Sequence, residues 1–311
     1  MGKQFLPVSK MELIKPRRLK PGDTIGVAAP ASPFRRRVLN QGLTLLKEMG
    51  YAVKLADGLF EAKGYLAGSD AHRASQLQAM FLDDGVDAVM CARGGFGSMR
   101  ILPYLDWEMI RAHPKPFIGF SDITAIHQAL LLRAGLTTFH GPVVCSLPAS
   151  DRQTRLSLNR AITSEAPLSL KAARPRTIKS GRADGVLVGG NLTTLCHLVG
   201  TPFQRGFAGA ILFIEDTGEA AYRIDRMLMH LKLAGCFDGM AGLVAGTFKD
   251  CARAAIVDNL LRQRFVDQEV PILSGMAFGH GRRNVTLPVG IAVRLDADSG
   301  RLDLLECATV D

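Results

Sequence analysis

The sequence is poor in the features that would send it to a membrane, to an oxidising compartment or to nucleic acid. In 311 residues no apolar run approaches the roughly 20 needed to cross a bilayer. Met1 to Lys20 is basic, yet it has neither an apolar core nor a cleavage site, so it does not read as a secretory signal. Cytoplasm is the default compartment, with no membrane partner. The six cysteines (Cys91, Cys145, Cys196, Cys236, Cys251, Cys307) are scattered without a C-x-x-C pair, which excludes a zinc site or disulfide framework read from spacing. Aromatic residues make up 6% of the chain, with one tryptophan, Trp107. The net charge of +9 is therefore not interleaved with stacking side chains. Only Lys15 to Lys20 and Arg35 to Arg37 are dense, so the basicity reads as surface charge suited to an anionic substrate, and no nucleic-acid partner is expected. Internal repeats and low-complexity segments are absent.

What is present is an ordinary soluble composition, 47% hydrophobic and 22% charged, on a length that favours two domains. The first half alternates strand and helix signals. Thr24 to Ala29 reads as a buried strand, Ser32-Pro33 as the opening of a helix to about Met49, and Tyr51 to Ala56 as a second strand. Asp70 to Leu82 carries a helical period capped by Ser69. Val86 to Ala92 and Leu136 to Val144 read as further strands. Repeated β-α-β units imply a parallel sheet covered by helices. Residues 1–150 form the expected N-terminal α/β domain. Residues 151–182, rich in Arg, Ser, Thr and Pro, read as a linker with a helical period at Arg152 to Ile162. Residues 183–311 form the expected C-terminal domain. There, Ala210 to Ile214 and Ala241 to Thr247 read as strands and Ala221 to Ala234 as a helix. Val285 to Asp296 and Arg301 to Thr309 read as an antiparallel pair.

The most telling local feature is Pro116 to Thr124, an apolar strand that turns sharply through Gly119 and Ser121 into a helix. A serine so placed is an exposed nucleophile beside helix N–H groups, as acyl transfer requires. Read alone, it is more simply a helix cap. A serine nucleophile also needs a base and a group to orient that base. Of the seven histidines, His127 and His230 read as structural or surface residues, His72 and His113 have no motif, and His197 is assigned to packing. His280, between Gly279 and Gly281, is the stronger base candidate; His140, before Gly141-Pro142, is the rival. Glu215 and Asp216 end a buried strand, where a carboxylate needs a partner; Glu219 and Asp225 are nearby alternatives. The turn Arg93-Gly94-Gly95-Phe96-Gly97 lacks the pattern of a P-loop or dinucleotide site. It fits an oxyanion hole in which the N–H of Gly95 pairs with that of Asp122, with Arg93 gripping a substrate carboxylate.

In this order the motifs resemble the L,D-carboxypeptidase family, whose other branch is the microcin C immunity peptidases. The matching pieces are Gly22 to Pro30, Ala92 to Gly97, Gly119 to Thr124, Gly189-Gly190-Asn191-Leu192, Ile214-Glu215-Asp216, Tyr222 to Leu228, Leu233-Ala234-Gly235 and Gly279-His280-Gly281. They span nearly the whole chain from about Leu19 to Val310. The resemblance implies a flavodoxin-like parallel-sheet domain and a smaller β-rich C-terminal domain. It implies a serine carboxypeptidase with Ser121 as nucleophile, His280 as base and Glu215 as orienter; Glu219 stays open for the last role. It also implies a cytoplasmic homodimer that trims the terminal D-alanine from murein tetrapeptide during peptidoglycan recycling, with no cofactor and no metal. The chain departs from the family where Phe96 and Phe120 stand in place of the common tyrosine, and Arg282 in place of the common proline. Arg93 and Arg282 are the candidates for holding the terminal carboxylate. The alternatives are a hydrolase of peptidyl- or acyl-nucleotide conjugates and a non-catalytic cleft protein; the scarcity of aromatics favours murein over nucleotides.

Overall fold

The computed structural model describes residues 12–311; the first part of the basic stretch at Met1 to Lys20 lies outside the described residues. The chain forms two compact units. One is built from Leu13–Glu165, Asn284–Pro288 and Ala308–Asp311, the other chiefly from Ala166–Arg283 and Val289–Cys307.

In the first unit, β1 (Thr24–Ala28), α1 (Arg36–Glu48), β2 (Ala52–Leu55), α2 (Asp70–Leu82) and β3 (Ala88–Cys91) follow one another. Then come α3 (Ser98–Ile101), α4 (Trp107–Ala112), β4 (Phe117–Gly119), α5 (Thr124–Ala129), β5 (Thr138–His140) and α6 (Arg152–Thr163). Strand order β2-β1-β3-β4-β5, with parallel pairing throughout, is the flavodoxin-like arrangement. The central strands β1, β3 and β4 are short apolar runs buried almost throughout, as the inner strands of a parallel sheet are. Helix α2 begins where its sequence says it should: the Ser69 side chain accepts from the His72 N–H, and Leu77, Met80 and Phe81 bury one face. Helix α1 opens at Arg36 rather than at Ser32-Pro33, because the Ser32 hydroxyl is taken by the Phe96 N–H at 3.0 Å. In such a sheet ligands bind beyond the carboxyl ends of the strands, where the strand order reverses. Here that is the mouth between β1 and β3.

The second unit contains β6 (Ser169–Lys171), β7 (Arg176–Lys179), β8 (Arg182–Asn191), α7 (Leu192–His197), β9 (Ala210–Thr217) and α8 (Ala221–Leu233). It continues with β10 (Gly242–Lys249), α9 (Ala254–Arg264) and β11 (Ile272–Ser274). A short strand, β12 (Leu287–Val289), joins the sheet of the first unit beside β5. The chain closes with β13 (Ala292–Asp296) and β14 (Arg301–Leu304). Eight strands lie in the order β6-β14-β13-β8-β9-β10-β11-β7. The centre β8-β9-β10-β11 is parallel, and antiparallel strands flank it on both sides.

The segment read as a linker thus carries a helix, α6, and both edge strands, β6 and β7. The expected pair across residues 297–300 forms as β13 and β14. Its first part differs: Leu287–Val289 leaves that sheet for the other.

Candidate active site

Strand β4 ends at Gly119, and the backbone then bends so sharply that Ser121 takes φ +68°. A left-handed serine is strained by on the order of 1 kcal/mol or more. A Cβ on Gly119 would press into the Ile123 side chain at 2.8 Å, so the residue before the bend has to be glycine. The strand-to-helix turn read from the sequence is therefore a strained elbow. It is not a simple cap: residues Ser121–Ile123 form one 3-10 turn before α5. Directly behind the elbow, the buried His127 ring donates from Nε2 to the Gly119 carbonyl and accepts from the Thr138 hydroxyl at Nδ1, both at 2.8 Å. Its burial pushes the pKa down to about 4, so the ring is neutral and holds the turn.

The glycine-rich turn after β3 lies against this elbow. A Cβ on Gly94 would stand 3.1 Å from Ser121 Cβ and 3.4 Å from Ser121 Oγ; the missing side chain lets backbone approach the hydroxyl. Gly95 and Gly97 both have positive φ, +109° and +116°. Ser32 fastens the turn from the far side, its hydroxyl accepting from Phe96 N–H and its own N–H donating to the Gly94 carbonyl at 3.3 Å. Asp122 adds a tie that its sequence position does not announce. Its carboxylate accepts from the Ser98 N–H at 2.8 Å and hydroxyl at 2.7 Å. The two turns are thus one fastened piece.

In the second unit, β9 delivers Glu215 fully buried, and the His280 Nδ1–H donates to its Oε2 at 2.7 Å. The His280 backbone N–H donates to the same oxygen at 3.2 Å. This fixes the tautomer, leaving the lone pair of the neutral ring on Nε2. Burial works against the imidazolium, but the hydrogen bond and charge of Glu215, with the charge of Asp216 behind it, outweigh it and hold the pKa above the ordinary value. Gly279 is required by space as well as by its φ of +93°, since a Cβ there would fall 2.3 Å from Glu215 Oε2. Asp216, the neighbour of Glu215, accepts from Asn191 Nδ2 and from the Thr193 N–H and hydroxyl at 2.8–2.9 Å. It thereby fastens the start of α7 to the end of β9.

Residues 25–141 match the LD-carboxypeptidase N-terminal domain of the S66 peptidases, and residues 184–295 match the LD-carboxypeptidase C-terminal domain. The chain belongs to the LD-carboxypeptidase family. It is 40% identical to a Bacillus subtilis protein named "Probable murein peptide carboxypeptidase", over 89% of each chain. It is 33% identical to the murein tetrapeptide carboxypeptidase of Pseudomonas aeruginosa, over 88% of this chain and 93% of that one. Among solved structures, an MccF-like protein from Bacillus anthracis superposes with a TM-score of 0.89 at 26% identity, covering 94% of this chain and 99% of the other.

The remaining candidates divide between the two units. Ser121, Asp122, Gly95 and Arg93 lie in the first unit; Glu215, His280 and Arg282 lie in the second. Glu215, not Glu219, is the carboxylate on His280; Glu219 faces Arg223 at 3.6 Å, and Asp225 is paired with Arg264. Arg93 is exposed and donates to the Pro33 carbonyl at 2.6 Å, and Arg282 is exposed. His140, the rival base, is fully buried with its ring 6.2 Å from that of Phe120. His197, the last residue of the short α7, is exposed, contrary to the packing role expected.

Proposed function

We propose that this protein is a serine carboxypeptidase that removes the terminal D-alanine from murein tetrapeptide through an acyl-enzyme on Ser121. The observation that carries this reading is the buried Glu215 carboxylate fixed on Nδ1 of His280, the arrangement that turns a histidine into an oriented base. The reading requires His280 and Ser121 to meet on one substrate. His280 Nε2 takes the hydroxyl proton as Ser121 Oγ attacks the carbonyl carbon before the terminal residue. The oxyanion accepts hydrogen bonds from the N–H groups of Gly95 and Asp122. One such donor contributes on the order of 3 kcal/mol to the transition state. His280 then protonates the leaving amine. A water, deprotonated by the same ring, releases the shortened peptide and restores Ser121. Arg93 and Arg282 are assigned to the substrate's terminal carboxylate.

The relatives named for murein peptides support the substrate class, and the resemblance adds a cytoplasmic homodimer working in peptidoglycan recycling. The likeness to an MccF-like protein supports a second reading, hydrolysis of a peptidyl- or acyl-nucleotide conjugate. The test is release of free D-alanine from purified murein tetrapeptide, beside an aminoacyl sulfamoyl nucleoside, by wild type and by Ser121→Ala. D-Alanine released by wild type and not by the variant supports the proposal. Turnover of the nucleoside conjugate alone moves the assignment to the second reading, and release by both proteins removes Ser121 from the mechanism. No turnover of either compound moves the assignment to a binding protein without catalysis.

A further inference from the structure

Helix α2 turns one arginine into the interior. Arg73 is fully buried on the same apolar face as Leu77, Met80 and Phe81, an expensive place for a guanidinium unless its charge is engaged. Its two Nη atoms carry that engagement, while its Nε has no hydrogen-bond partner. Its Nη1 donates both to the Pro30 carbonyl and, at 2.8 Å, to the Gly97 carbonyl. Its Nη2 donates to Asp70, which is in turn gripped by Arg100 with three contacts of 2.8–3.1 Å. Pro30 opens the loop after β1; Gly97 closes the turn after β3. Arg73 therefore bridges the two loops at the switch point of the sheet. The chain continues from Gly97 directly into Ser98, the residue that holds the Asp122 carboxylate. Gly97 has no room for a side chain, since a Cβ would stand 2.9 Å from Arg73 Nη1 and 2.5 Å from Leu66 Cδ2.

We infer that Arg73 is a positioning residue: by clamping the Pro30 and Gly97 carbonyls it sets the Gly94–Gly97 turn at the distance from Ser121 that its backbone donors need. The inference rests on the proposed acyl transfer for its consequence in rate, but not for its consequence in structure. A lysine could reach one carbonyl as a point donor; it cannot bridge two carbonyls and a carboxylate as the planar fork does. Asp70 holds that fork in register, and Arg100 holds Asp70.

The experiment uses the full chain with Arg73→Lys and, as a milder change that leaves the guanidinium in place, Asp70→Asn. Two readouts are taken. The first is native-state amide exchange resolved along the sequence. Exchange in residues 93–98 is expected to accelerate at least tenfold in Arg73→Lys, and less in Asp70→Asn, with peptides from β4 and β5 unchanged. The second is steady-state D-alanine release. There kcat is expected to fall by about 10²-fold, the scale of one misplaced oxyanion donor, with KM within about threefold. Unchanged exchange in residues 93–98, or acceleration spread evenly over the sheet, overturns the inference whatever the substrate. A selective acceleration with kcat intact also overturns it, because the turn would then be loosened without consequence. If wild type releases no D-alanine while exchange changes as expected, the clamp stands and the proposed reaction fails.

Discussion

His280 Nδ1 and Glu215 Oε2 lie 2.7 Å apart, with the carboxylate wholly buried and the Gly279 backbone folded over it. The pair is built by a parallel strand and a glycine-flanked loop separated by some sixty residues of chain, and its geometry leaves no freedom in the histidine's tautomer. That constraint has measurable consequences.

Replacing Glu215 by glutamine keeps the shape but lets an amide N–H face Nδ1, which favours the wrong tautomer. Turnover is expected to fall by on the order of 10³-fold or more, with the circular dichroism spectrum retained. Glu219→Gln, by contrast, is expected to leave kcat within about threefold, since that side chain serves Arg223. Parallel kinetics on the two variants separate the acids that the sequence left open.

The raised pKa of His280 makes activity and stability move in opposite directions with pH. The base must be neutral, so kcat/KM is expected to rise through a midpoint above the ordinary imidazole value of about 6.5. The charged ring is what Glu215 stabilises. Its contribution to folding is fully present below the unfolded pKa and is lost as pH rises through the folded one. Glu215→Gln removes the hydrogen bond and charge that raise it, so the midpoint moves down. Proton NMR titration of the His280 ring in both proteins checks the direction.

His127 titrates the other way. With a folded pKa of about 4, its neutral ring is favourable to folding above about pH 6.5. That stability, about 3 kcal/mol, is lost as pH falls from there through the folded value. The ring is expected to stay mostly neutral in NMR spectra down to about pH 5, with its proton on Nε2.

The elbow itself stores strain. At φ +68° a glycine is relaxed and an alanine is not, so Ser121→Gly is expected to unfold at higher urea than Ser121→Ala, by about 1 kcal/mol. Both are expected to be inactive. Equal stability of the two variants would mean that the backbone is relaxed.

Much of this was legible in the chain. Ser69 and the apolar period that follows placed α2 to the residue, and Pro116 to Thr124 announced both strand and elbow. Gly279 and Gly281 singled out His280. What the sequence hid is tertiary. Strands β6 and β7 sit at the two edges of an eight-stranded sheet, where Arg, Lys and Ser protect an edge from further pairing; read alone, that composition looks like a linker. Strand β12 is three residues long and pairs away from its neighbours in the chain, so nothing local marks it. Arg73 carries only a faint signal in the sequence: a single cation in phase with Leu77 and Met80 on the apolar face of a helix. Asp122 was read for its N–H alone, whereas its carboxylate is what ties the elbow to Ser98.

The proposed reaction passes through a covalent bond at Ser121, and trapping that bond is the most direct measurement. Wild type is mixed with murein tetrapeptide, quenched in acid within the first turnover, and examined by intact mass and peptide mapping. The expected result is a mass increase equal to the substrate less D-alanine, located on Ser121 and missing from Ser121→Ala. Turnover with no adduct on Ser121 under conditions where deacylation is slowed, or an adduct on another residue, would contradict it.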